Sequence, residues 1–427
     1  MRITDVNANF VREPLAAPMG FKGAYLSELW QVAASLSTDS GRGVGVGVQS
    51  VLWSDASVFA SVSQAAGNAW MFSMTEHALR LARGQEFSDP FCLLDTLLPQ
   101  VHEYGKKITG NPELRKTFAL NSLVPVDHAA WQLYAREKGT TQLPELLPED
   151  LQKALAGRQE KLCSIPLITY GMSPEEARAL AQKGHFLLKI KIGADPDKDG
   201  SQEKMLAWDM ARLTRLHNAL RDVTTPYTDS GRVLYYLDAN GRYDSKERLL
   251  RLLDHAAAIG ALERIAILEE PFPETLPVDV SDIPVRIAAD ESAHSDIDAI
   301  ERMDLGYSAM ALKPIAKTMS MTLRVLREAH KRQIPCFCAD LTVNPWMVDI
   351  NKSIAARIAP LPGIKIGVLE SNGPQNYANW EAMKTWHPLY TPGKELDPQE
   401  GLFCLDEAFY QLTGGMFCEA PYYLNLL

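Results

Sequence analysis

From residue 163 to residue 370 the chain repeats one unit, a short apolar, β-branched run followed by a longer segment of helical period. The runs are IPLITYG (165–171), FLLKIKIG (186–193), RVLYYLDAN (232–240), RIAILEEP (264–271), VRIAAD (285–290), AMALKP (309–314), IPCFCAD (334–340) and GIKIGVLE (363–370). Between them lie stretches such as SPEEARALAQKG, SKERLLRLLDHAAAIG and TMSMTLRVLREAHKR. Strands alternating with helices form a parallel sheet, because a parallel pair needs a crossover long enough to hold a helix. Eight such units is the number that closes a (β/α)-barrel, whereas an open doubly wound sheet usually has fewer strands. The expected fold class is therefore α/β, a modified TIM (β/α)-barrel.

Before residue 125 the rhythm is absent. GRGVGVGVQSVLW (41–53) alternates glycine and valine as an antiparallel strand does, and helical period follows around NAWMFSMTEHALRLARG. A dinucleotide loop would be followed by a helix, but here a valine run follows the glycines. With 427 residues the chain is long enough for two structural regions. Residues 1–125 are expected to form an α+β capping domain and 126–375 the catalytic barrel. Residues 376–427, again without the rhythm, are expected to pack on the cap. A net charge of −10 argues against nucleic-acid and anionic-membrane partners. No run of about 18 apolar residues is present to span a membrane, and MRITDVNANFVREPLAAP lacks the apolar centre of a signal peptide. The six cysteines include one close pair, CFC, which fits neither a zinc site nor a disulfide framework. A cytoplasmic homo-oligomer is expected.

The second run poses a question of its own. Lys189 and Lys191 alternate with Leu188, Ile190 and Ile192, so one strand face is aliphatic and the other carries two ammonium groups. In a barrel, catalytic residues come from the C-terminal ends of strands. There the third run offers Asp238, the fourth Glu269 and Glu270, the fifth Asp290 and Glu291, and the sixth Lys313. Each has an ordinary alternative: DANG as a turn, EEP as acids opening a helix, DES as an N-cap, the lysines as solvated sheet residues. Together they place carboxylates on three consecutive strand ends, flanked by lysines on strands two and six. Converging carboxylates repel unless a cation lies among them. A hard, oxygen-seeking ion suits that position, and Mg²⁺ retains open sites for substrate oxygens. Such an ion acidifies the carbon beside a bound carboxylate and stabilises the resulting enediolate. The matching base is a lysine whose pKa is lowered by nearby positive charge and burial. Lys189 would tune or orient, and Lys191 would take the proton.

These residues resemble the enolase superfamily, and within it the muconate-lactonizing-enzyme subgroup (mandelate racemase/muconate lactonizing enzyme family), whose lysine bases and Mg²⁺ are established chemistry. The matched positions are Lys189-x-Lys191, Asp238, Glu269, Asp290 and Lys313. The resemblance implies that Asp238, Glu269 and Asp290 hold Mg²⁺, with Glu269 rather than Glu270 as the ligand. It implies that Lys191 and Lys313 lie on opposite faces of the substrate. Mandelate racemases carry a histidine on strand seven, and CFCAD has none. Departures concern the substrate. Glu270 stands where glutamine is common, VLESNG lacks the Asp-x-Asp of dipeptide epimerases, and no Gly-Gly pair follows Lys313.

Further substrate contacts are expected at Asn240, Asp340, Glu370, Tyr25 and Trp53, the last two in capping loops 21–25 and 50–53. Trp30 matches a capping-loop region too, with burial in the cap as its alternative. His294 is expected to be exposed in the first turn of the helix after strand five, and the loop 220–233 has no evident role. The expected activity is Mg²⁺-dependent abstraction of the proton α to the carboxylate of a small-molecule substrate, in a racemase or epimerase. The alternatives are a dehydratase or other lyase, including a cycloisomerase, acting on an acid sugar or related carboxylate, and a barrel that only binds ligand. Retention of both lysines disfavours the last, since a binder needs no base.

Overall fold

A computed structural model describes residues 1–21 and 24–427. Its first sheet is antiparallel, ordered β1 (Asp5–Phe21), β2 (Ala24–Thr38), β3 (Gly41–Gln49). The glycine–valine alternation of β3 reflects what packs on each face. Val44, Val46 and Val48 join the main hydrophobic cluster. The glycines admit the helix Lys116–Lys138, since a Cβ on Gly45 would overlap the Pro125 carbonyl and one on Gly43 that of Ala129. Close approach, not backbone freedom, requires glycine here. Gly45→Ala is expected to destabilise the protein by about 1–3 kcal/mol or more, the usual cost of overpacking. Denaturant unfolding would read this loss, and wild-type stability in the variant would contradict the packing.

The second sheet contains β4 (Lys161–Ile165), β5 (Leu167–Ile168), β6 (Leu187–Lys191), β7 (Leu234–Asp238), β8 (Ile265–Glu269), β9 (Ile287–Ala289), β10 (Ala309–Leu312), β11 (Cys336–Cys338), β12 (Gly367–Glu370) and β13 (Leu402–Cys404). All but β13 run parallel, in the order β5-β6-β7-β8-β9-β10-β11-β12-β4. Only Pro166 separates β4 from β5, and proline has no N–H for a ladder. The lower half of strand one therefore pairs with β12 and the upper half with β6. One split strand borders both ends of the sheet and closes it into an eight-position barrel. The sequence puts this strand at 165–171; pairing instead runs from Lys161 to Ile168, because polar Lys161 and Ser164 lengthen it without breaking the ladder. β13 adds antiparallel to β4.

Alternation sorts each barrel strand. Leu188, Ile190, Tyr235 and Leu237 join the cluster shared with the outer helices, while Leu187, Tyr236, Ile267 and Phe337 fill the inside. Tyr236 and Phe337 meet edge-on with centroids 5.3 Å apart, and Ala288, Ala309, Ala311 and Ala339 make room for them. The 220–233 segment closes the lower mouth. Tyr227 stacks on Phe186 and its carbonyl accepts from the Lys365 amide, while the Asp229 amide donates to the Gly363 carbonyl. Past residue 375 the chain returns to the cap, where Asn9 donates to the Leu426 carbonyl at 2.9 Å, and to the helix Lys116–Lys138, where Gln132 donates to the Met416 carbonyl at 3.0 Å. Among the described residues no helix is long and apolar enough to cross a membrane.

Candidate active site

Strand register gathers the expected residues at one end of the barrel. Lys191, Asp238 and Glu269 are in-register neighbours at the ends of β6, β7 and β8. Asp290 and Lys313 directly follow β9 and β10. All five are buried. β6 and β10 stand four positions apart in a ring of eight, so Lys191 and Lys313 come from opposite sides of the axis. Both line one cavity, together with Lys189, Asp238, Asn240, Asp290, Asp340 and Glu370 from the barrel and Ser50 and Trp53 from the cap.

The lysines are bound to carboxylates. Lys189 Nζ lies 2.8 Å from Glu269, 3.1 Å from Asp238 and 3.0 Å from Glu370, and 4.7 Å over the Tyr236 ring. Lys191 Nζ donates to Asp238 and to Asn240 Oδ1, each at 2.6 Å. Lys313 Nζ donates to Asp290 at 2.5 Å and lies 4.6 Å over the Trp53 ring. Burial opposes charge on Lys189, yet Asp238, Glu269 and Glu370 outweigh it and hold its pKa well above the ordinary value. Burial likewise opposes charge on Lys313, and Asp290 and Glu269 outweigh it. Carboxylates are the nearest partners of both.

The acids diverge for the same reason. Burial alone would raise Asp238, but Lys189 and Lys191 bring it down to about 2. Asp290, also buried, is held low by Lys313 and Lys317. Burial and Asp238 push Glu269 far up. Burial and Glu291 raise Glu270 to about 7, and burial and Glu370 do the same to Asp340.

As placed, no three such side chains among the described residues form a metal cage, because the Lys189 ammonium bridges Asp238 and Glu269. The donor set itself fits Mg²⁺. It offers only hard oxygens from three adjacent strand ends, and Glu269 Oε1 is buried without a hydrogen-bond donor. Glu270 turns elsewhere. Its φ of 44° carries it off the strand, and its carboxylate accepts from the amides of Asp290 at 2.7 Å and Ser292 at 3.2 Å. Asn240 links Lys191 to Glu291 Oε1, donating to the latter at 3.0 Å.

Of the expected cap contacts, Trp53 faces the cavity and Tyr25 does not: at the start of β2 it is 64% exposed. Lys22 and Gly23 of the first capping loop lie outside the described residues. Trp30 is buried against Phe10, ring centroids 4.1 Å apart. His294 is not exposed; it precedes the N-cap Ser295 and pairs with Glu274 at 3.0 Å, which draws it inward. Sequence reasoning missed Lys317, which donates to the Ala293 carbonyl at 3.0 Å and lies 3.3 Å from Asp290. Its one signal was the spacing of four from Lys313, a single helical turn. It also missed Thr342 and Asn372, which line the cavity past the ends of β11 and β12.

No family model matches the chain, and comparison with curated proteins finds no match. Solved structures do resemble it. The L-Ala-D/L-Glu epimerase of Bacillus subtilis, in a substrate-liganded complex, aligns with a TM-score of 0.63 at 18% identity, over 89% of this chain and 92% of that one. A mandelate racemase/muconate lactonizing protein of Herpetosiphon aurantiacus gives 0.62 at 18% identity, over 95% and 96%. The dipeptide epimerase of Enterococcus faecalis V583, complexed with Mg and the dipeptide L-Leu-L-Tyr, gives 0.61 at 18% identity, over 95% and 98%. At such identities the likeness is one of fold, and the chain has the capping-domain-plus-barrel fold of mandelate racemase/muconate lactonizing proteins and dipeptide epimerases.

Proposed function

We propose that the protein removes the proton α to a substrate carboxylate and returns a proton to the opposite face, as a racemase or epimerase. The observation that carries this reading is the placement of Lys191 and Lys313 on opposite sides of one buried cavity. A carbon between them is open to proton transfer on both faces. Mg²⁺ held by Asp238, Glu269 and Asp290 would supply positive charge to offset the charge that develops on the carboxylate. Asn240 orients the Lys191 ammonium through its 2.6 Å hydrogen bond. Lys189 contributes a fixed positive charge, and the Trp53 ring covers Lys313 and limits water beside it. Similarity to epimerases complexed with Mg and dipeptides supports small carboxylates of that kind as first trials.

The test is incubation with Mg²⁺ in D₂O against dipeptides, N-acylamino acids, proline derivatives and acid sugars, followed by proton NMR. The expected result is loss of one α-proton signal with appearance of the inverted configuration, both stopped by EDTA. Loss of a β-substituent instead would make the protein a lyase. Tight binding with no exchange would make it a binding barrel.

A further inference from the structure

The acids on strands seven and eight are not needed for the proton transfers just described, and they are not equivalent. Glu370 is engaged: its Oε2 meets Lys189 at 3.0 Å and accepts from the Asp340 amide at 3.0 Å. Asn372 Oδ1 accepts from Thr342 at 2.6 Å. Asp340 is 6% exposed and lines the cavity; its Oδ2 accepts from the Asn372 amide at 2.8 Å, while its Oδ1 is buried with no donor. A buried acceptor without a donor is costly, and a ligand that brings one recovers that cost.

Charge selects the donor. The cavity is lined by Asp238, Asp290, Glu291, Asp340 and Glu370, against Lys189, Lys191 and Lys313. A divalent ion balances this set, and a substrate carboxylate then leaves it negative. Excess buried charge of one sign is unfavourable; burial first, and the Glu370 carboxylate second, push Asp340 up to about 7.

We propose that Asp340 is a specificity-determining residue, accepting a hydrogen bond from a cationic amine that the substrate carries beyond its reacting carbon. This inference rests on the reading of the site as one for small carboxylates. It assigns the amine to strand seven, because Glu370 on strand eight already serves Lys189.

The experiment compares L-Ala-L-Ala with N-acetyl-L-Ala-L-Ala, which lacks the ammonium, on the Mg²⁺-loaded protein. Calorimetry measures binding, and α-deuterium uptake measures exchange. Wild type is expected to prefer the free amine by about 10²-fold, the scale of a buried charge-assisted contact. Asp340→Asn, close in shape and able to keep the bond from the Asn372 amide, should bring that ratio near one. Glu370→Gln should weaken both compounds and leave the ratio high. Equal handling of the two compounds by wild type, or a ratio that survives in Asp340→Asn, overturns the inference, as does failure of both to bind. Exchange without amine preference would sink the inference and spare the proposed function. Amine-selective binding without exchange of any carboxylate would do the reverse.

Discussion

Asp290→Asn is expected to abolish Mg²⁺ binding and turnover together. Asp290 is buried at the end of strand five and is the anionic partner of two lysines, Lys313 at 2.5 Å and Lys317 at 3.3 Å. Asparagine keeps the shape and one acceptor but removes the charge. The proposed metal set would then have two anionic ligands in place of three, and both lysines would repel the ion without compensation. Loss of an outer partner of a metal ligand costs about 10–100-fold in affinity, and loss of the ligand itself should exceed that. Breaking a buried ion pair also costs about 3–5 kcal/mol of stability, so circular dichroism should first confirm a folded variant. Titration calorimetry with Mg²⁺ then decides, and wild-type affinity would remove Asp290 from the site. The same measurement separates the adjacent acids. Glu269→Gln should weaken the ion severely, whereas Glu270→Gln should weaken it little, since Glu270 is bonded to the amides of Asp290 and Ser292.

The barrel was legible because its signals are local and repeated. A short apolar run, eight times over and in seven of them carrying a charged residue towards its end, leaves little choice of architecture. The parity of Lys189 and Lys191 correctly set Leu188 and Ile190 on the outside and both lysines inside. What escaped is what depends on distant pairing. Nothing in IPLITYG reveals that strand one reaches back to Lys161 and divides at Pro166 between two neighbours. Glu370 meets Lys189 across 181 positions of sequence, so its engagement has no local trace. Tyr25 and Trp53 looked alike as aromatic residues in capping loops; only the packing of the cap turns one to solvent and the other over Lys313. The raised pKa of Lys313 follows from Asp290 and Glu269 converging on it, whereas sequence spacing shows only that lysines are near lysines.

Lys191→Ala and Lys313→Ala should each nearly abolish inversion while disabling opposite faces of the substrate. In the proposed inversion each lysine would remove the proton from one configuration and deliver it to the other, so inversion would need both and exchange only one. A positioned general base contributes about 10²–10⁴-fold. Loss of either should therefore lower turnover by at least that range, with Asp238 and Asp290 still available to the metal. The two lysines occupy separate carboxylates, Asp238 for Lys191 and Asp290 for Lys313, so neither variant dismantles the other's partner. If the protein instead expelled a β-substituent, one lysine would serve as base for every substrate and the two variants would not mirror each other. The most direct test is proton NMR of α-deuterium uptake in D₂O by each variant with each configuration of an accepted substrate. The expected result is a crossed pattern: Lys191→Ala exchanges only the configuration whose proton faces Lys313, and Lys313→Ala only the other. Full exchange of both configurations by both variants would contradict any role for these lysines in moving the proton.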